Sequence, residues 1–390
     1  MITGTGDDGT AMNDRRRRER AVSELLLAVC RDEVTAAAAD AEPEAVVRAA
    51  RHHRVSPLAH VRLREHAPAA AELLRADRDM AKSLHIRAAM LLAQVDHLLG
   101  DVPWVVFKGP VLSELAHPVR GLRPYGDLDL LVAPQDLRRV SEVLLAAGWE
   151  VGDYEDMLRN PEVPGEMHWF TPAGVPVDLH WAMVNMRSRR RLFTIPTEDL
   201  LAHRRRVRIG LAEAWTMDAA DTLVHVALHA ALAGANRLTW MLDIDQLARQ
   251  VEDWRPVARR ARQWGAHAQV ALALRRATAT LGTPVPAAVH RALGVPVPLR
   301  GLMDAVDRRW PVAAQREDAS VSRLVSRAVR PGTARTAAQV VRNAGQGVVD
   351  RVRPAPAQVP TRVQAGPEAL AVYLGAVEAN ARTAASRVSG

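Results

Sequence analysis

Two aspartates one residue apart, in Asp127-Leu128-Asp129, are the residues of this chain best placed to do chemistry. The apolar run that follows, Leu130-Leu131-Val132, reads as a short buried strand. On a strand, residues i and i+2 share a face. The two carboxylates would then project side by side, while Leu128, Leu130 and Val132 pass to the opposite, buried face. Close carboxylates repel one another unless a cation or a proton lies between them. Hard oxygen ligands suit Mg2+, which also takes substrate phosphate oxygens into its shell.

Spacing alone does not select this pair, because Asp243-Ile244-Asp245 repeats it. That second pair falls in a helical pattern, where a step of two residues turns the side chains apart by about 200°. It is not expected to hold a metal, although Asp243 alone could face a cleft. His225 and His229 stand at i and i+4 of a helical stretch, a spacing compatible with metal. The intervening Val226-Ala227-Leu228 lacks the glutamate of a zinc-protease helix, so the two read as helix residues near the cleft. The chain has no G-x-S-x-G elbow, Walker loop or G-x-G-x-x-G fingerprint, which argues against hydrolase, P-loop and dinucleotide chemistry.

Several elements must position the first pair. Val102 to Phe107 is a β-branched and aromatic run ending at Lys108-Gly109, and it reads as a buried strand. Leu112 to Ala116 suggests a short helix, and Gly121 to Gly126 a basic turn leading into the aspartate strand. A helix through Leu137, Val140, Val143 and Leu144 is stopped by Gly148. His168 to Thr171 and Val175 to Trp181 flank Pro172-Ala173-Gly174 as the arms of a hairpin. Around this core the periodicity is helical. The expected organisation is a disordered leader over 1–19, a helical region over 20–100 and the strand-bearing core over 101–210. A helical domain over 211–311, a flexible linker over 312–365 and a terminal helix or tail over 366–390 follow.

The order of these pieces resembles the polymerase-β-like nucleotidyltransferase superfamily, and more narrowly a family of uncharacterised bacterial nucleotidyltransferases. The residues that carry the likeness are Phe107-Lys108-Gly109-Pro110, Arg123 ahead of Asp127, Asp127 to Val132, Ala147-Gly148-Trp149, and Val177-Asp178-Leu179-His180-Trp181. The similarity extends from Ala50 to Asp243, about half of the chain. It implies an α+β nucleotidyltransferase core, a small mixed sheet with helices, flanked by N- and C-terminal helical regions. It further implies that Asp127, Asp129 and Asp178 are the catalytic and metal-holding triad, with Asp178 able to assist acceptor deprotonation. Lys108, the amide of Gly109, and Arg123 would meet the phosphates of an NTP such as ATP, and His180 would support the metal shell or stack on a base.

The implied reaction moves an NMP to an acceptor with release of pyrophosphate. A small molecule leads as acceptor, with tRNA or protein as the rival. One departure stands out: Gly109-Pro110 replaces the usual Gly-Gly or Gly-Ser, and proline has no amide hydrogen to give a phosphate. That departure motivates the other reading, a degenerate protein that binds a nucleotide or a partner without turnover.

The remaining properties set limits. The chain has 390 residues, 48% apolar and 25% charged, within the range of soluble globular proteins. Cys30 is its single cysteine, which excludes an intrachain disulfide or a cysteine-built zinc site. No run reaches the ~18–20 apolar residues of a membrane span, and a cytoplasmic location is expected. The net charge of +8 gathers at Arg15 to Arg18, Arg189 to Arg191 and Arg204 to Arg208. Without interleaved aromatics these runs read as solvated faces more than as nucleic-acid platforms.

Overall fold

The computed structural model describes residues 7–317, 321–352 and 366–388. Five strands, β1 (Trp104–Phe107), β2 (Leu128–Val132), β3 (Glu150–Gly152), β4 (Glu166–Phe170) and β5 (Pro176–His180), form a sheet in the order β1-β2-β5-β4-β3. β2 runs antiparallel to β1 and parallel to β5, while β5-β4-β3 is antiparallel throughout. This is the small mixed sheet with flanking helices of the expected α+β class.

The strand sequences explain which faces are covered. All of β1 and β2 is buried, whereas β4 alternates, with Met167 and Trp169 inside and Glu166, His168 and Phe170 half-buried. One face of the sheet, with Trp104, Val106, Leu128, Leu130, Val132, Val177 and Leu179, packs against three helices. These are Arg75–Leu99, Leu137–Ala146 and Pro367–Val388. The other face contributes Val105, Phe107 and Leu131 to a second core. That core joins the first four α-helices of the chain to helices Ala219–Ala233, Leu238–Ala248, Trp254–Gln263 and His267–Leu281. Most of the two helical regions expected on either side of the sheet therefore share one interior, and Arg31 Nη2 reaches across it to the Thr280 carbonyl at 2.6 Å.

Three segments differ from expectation. Within 1–19, the helix Asp7–Arg31 is already formed, and the ion pair Arg15–Glu19 (2.9 Å) follows its i,i+4 spacing. Within 312–365, helices Val321–Ala328 and Thr333–Val352 are present, and 353–365 lies outside the described residues. Ser322, Val325 and Ser326 are buried there, and Arg276 Nη1 donates to Ser326 Oγ at 2.7 Å. Small residues that look like linker in composition serve here as a close-packing face. The hairpin β6 (Arg205–Ile209) and β7 (Ala212–Thr216) crosses the 210/211 boundary, with Val207, Ile209, Ala212 and Ala214 buried in the sheet core. Its arginines do meet an aromatic residue, since the Arg204 and Arg206 guanidinium groups lie 4.6 and 4.0 Å from the Trp215 ring. Among the described residues, no helix is long and apolar enough to cross a membrane.

Candidate active site

Register builds the site. Parallel pairing of β2 with β5 sets Asp129 beside Asp178 and Leu131 beside His180. Antiparallel pairing of β4 with β5 then sets His168 opposite Asp178 and Glu166 opposite His180. Because side chains alternate along a strand, these polar groups share the sheet face that carries Leu131. Asp127 sits just before β2, at the end of the 121–126 turn.

The contacts are short. Asp129 Oδ1 accepts from Lys108 Nζ at 2.7 Å and lies 3.2 Å from His180 Nε2. Asp178 Oδ1 lies 2.5 Å from His168 Nδ1. His180 Nδ1 stands 3.3 Å from Glu166 Oε2, an ion-pair distance without the alignment of a hydrogen bond. Asp129, Asp178 and His180 each offer one ligand atom, all within 4.8 Å of one another. Asp129 and His180 are each only 4% exposed, so the group lies deep.

The electrostatics separate the two aspartates of the pair. Burial, followed by the charges of Asp129 and Asp178, pushes Asp127 up to about 6. Burial would raise Asp129 as well, but Lys108 and His180 outweigh it and hold that carboxyl well below the usual range. His168 is raised, first by its hydrogen bond to Asp178. His180 is raised despite burial, because Asp129 and Glu166 favour its cation. Neighbouring carboxyls driven apart in this way, around a single lysine, are typical of a functional site.

The other sequence-expected residues divide. Lys108 joins the cluster from the end of β1 with a positive φ of 57°, unusual for a residue with a side chain. Gly109 packs under the Asp127 turn, where an added Cβ would stand 3.3 Å from the Asp127 carbonyl and 3.4 Å from the Tyr125 ring. Pro110 occupies the first turn of helix Gly109–Leu115, where its missing amide hydrogen breaks no helical bond. Arg123 does not turn to the cluster with its expected fork. Its Nε and Nη2 donate to the two oxygens of buried Asp243 at 2.8 and 2.9 Å.

His225 lies against the cluster through edge-on rings, with His180–Phe107 centroids 5.0 Å apart and Phe107–His225 5.2 Å apart, and His229 lies behind it with a tilted ring at 6.1 Å. Burial keeps His225 neutral, well below the usual imidazole range, and pushes His229 down to about 3. The sequence reading missed Glu166 and His168 as site residues. A turn centred on Ala173 pairs 168 with 178 and 166 with 180, so the hairpin itself carried that signal.

Asp129, Asp178 and His180 form a donor set for a divalent cation, with Asp127 near enough to feel their charge but outside that group. Such an ion would relieve the carboxylate repulsion that adds to burial in raising Asp127. A surface cavity of about 640 Å3 beside Asp32, Arg62 and His66 shares no residue with this cluster. A family model described as an uncharacterised nucleotidyltransferase matches residues 39–282, a span that includes every residue of the site. No curated protein matches the chain.

Proposed function

The chain belongs to this nucleotidyltransferase family and is therefore a transferase; from that premise we propose that it moves an NMP from an NTP to an acceptor in a Mg2+-dependent reaction that releases pyrophosphate. The observation that carries the reading is the pairing of Asp129 with Asp178 on parallel strands, with Asp127 two residues upstream. Asp127, Asp129 and Asp178 are the residues that would hold the ion. When bound, it would neutralise the triphosphate and stabilise the attacking and leaving oxygens of an in-line displacement.

The side chains supply the rest. His180 fixes the orientation of the Asp129 carboxylate through their 3.2 Å contact. Asp178, steadied by His168, takes the proton of the acceptor hydroxyl or amine. Lys108 and the Gly109 amide meet the phosphates. Arg123, tied to Asp243, holds the turn that delivers Asp127, helped by its own amide donating to Ser113 Oγ at 3.2 Å. Chemistry of this kind rests on positioning and charge rather than on a protein nucleophile. The depth of Asp129 and His180 favours a slender acceptor, and a small molecule fits that best. ATP is the first donor to try.

Incubation of the protein with each labelled NTP, Mg2+ and candidate acceptors should release pyrophosphate, and the release should vanish in Asp127→Ala. Label appearing on tRNA or protein would replace the small-molecule acceptor. Nucleotide bound without any release would overturn the catalytic reading.

A further inference from the structure

Asp129 Oδ1 is an oxygen a divalent ion would need, yet it already serves two partners, Lys108 Nζ at 2.7 Å and His180 Nε2 at 3.2 Å. The Lys108 ammonium is four-fifths buried and draws on Asp127 and Glu166 as well as Asp129. Arg123, the other obligate cation near the turn, is committed to Asp243. Among the described residues, Lys108 is thus the one lysine or arginine paired directly with the carboxylates of the cluster. Its backbone at φ 57° and ψ −133° lies in a region that side-chain residues rarely occupy. That conformation sends the chain from β1 into the following turn with the lysine aimed back at Asp129.

We propose that Lys108 is the resident counter-ion of the nucleotide-free site, occupying the carboxylate that a divalent ion must take until a triphosphate draws it away. The inference rests on the proposed metal-dependent reaction and adds an order of events to it. An ion on Asp129 Oδ1 and an ammonium on the same oxygen would lie within a few ångströms, in surroundings that screen their repulsion poorly. Each therefore weakens the other. A triphosphate offers the ammonium a denser set of negative oxygens, and its departure leaves Asp129 open to the ion. Linkage makes the effect mutual: whatever removes Lys108 from Asp129 tightens the metal, and metal on Asp129 favours Lys108 on phosphate. A free divalent ion would thus bind the empty enzyme weakly and the nucleotide complex well.

The test uses Mn2+ alone as the probe, counted by electron paramagnetic resonance on the full chain without nucleotide. Wild type should bind weakly, Lys108→Met about tenfold more tightly, and Lys108→Arg as weakly as wild type. Adding Asp129→Asn to Lys108→Met should abolish the gain, which locates it in this site, and thermal melts would establish that each variant is folded. A second arm titrates inorganic tripolyphosphate into protein in EDTA, where wild type should bind and Lys108→Met should not. Equal Mn2+ affinity in wild type and Lys108→Met would overturn the counter-ion role while leaving the transferase reading in place. No Mn2+ bound by any variant would overturn both. Tripolyphosphate binding unaffected by Lys108→Met would overturn the release step.

Discussion

The chain carries the triplet Asp-x-Asp at 77–79, 127–129 and 243–245, and the last two, bridged by Arg123, end in opposite chemical circumstances. Asp127-Leu128-Asp129 enters a strand, where Asp129 stands beside Asp178 with Lys108 and His180 on its carboxylate, and Asp127 feels the charge of both aspartates. Asp243-Ile244-Asp245 lies on helix Leu238–Ala248, and its carboxyls diverge. Asp243 takes the fork of Arg123, while Asp245 accepts from Arg249 at 2.8 Å and from Thr283 at 2.8 Å. Both pairs are raised at one member. The reasons differ: burial alone raises Asp243 against the pull of Arg123, whereas like charges add to burial at Asp127. The lesson is that spacing becomes chemistry only through the element that bears it.

Mutation should break this contrast most forcefully at Asp129. Asp129→Asn is expected to lower pyrophosphate release about 10³-fold, measured under saturating NTP. Asp243→Ala should instead act on stability, costing about 3–5 kcal/mol because it strands the buried Arg123 guanidinium. Thermal or urea unfolding reads that loss, and Arg123→Met with Asp243→Leu should recover most of it. A wild-type melt for Asp243→Ala would mean that the helical pair is not structural.

A smaller effect comes from acid. His53 Nδ1 accepts the Leu238 amide at 3.4 Å, at the start of the helix that carries the second pair. Burial pushes His53 down to about 3, so the folded state keeps it neutral while the unfolded chain protonates near 6.5. Its contribution is therefore present above pH 6.5 and is lost as the pH falls from there towards 3, by at most about 1.4 kcal/mol per pH unit. Melting of wild type against His53→Asn between pH 7 and 5 should show a shallower loss in the variant. The smallest change is at Asp127: in EDTA, Asp127→Asn should raise stability by about 1 kcal/mol by removing like-charge repulsion, while activity is lost. A lower melting temperature there would mean that the strand pair is not electrostatically frustrated.

Much of the site could be read from local pattern, because strand alternation and a turn at Pro172-Ala173-Gly174 are short-range signals. The strands that bear Asp127, Asp129 and Asp178 follow from them, whereas the parallel pairing that sets Asp129 beside Asp178 joins distant segments and was implied only by the family resemblance. The partner of Arg123 does not, since Asp243 lies 120 residues away and no periodicity links them. Arg205, Arg206 and Arg208 are exposed, as a solvated face would be, but the aromatic partner of this run was hidden for a related reason. Their alternation with Val207 and Ile209 was a strand signal, and the Trp215 they stack on comes from the next strand. The helix Val321–Ala328 escaped because serine and alanine look polar or neutral in composition, yet pack closely once a buried arginine such as Arg276 gives them a partner.

Trp181, the residue that follows His180, donates its indole hydrogen to Tyr373 Oη at 2.8 Å, across 192 residues of chain. Tyr373, Leu374 and Val377 close the outer side of the sheet core from helix Pro367–Val388. During synthesis, the strand that bears Asp178 and His180 leaves the ribosome long before the helix that braces it. Contacts so distant in sequence form late and slowly, so the strand that bears Asp178 and His180 gains this brace only once translation has passed that helix.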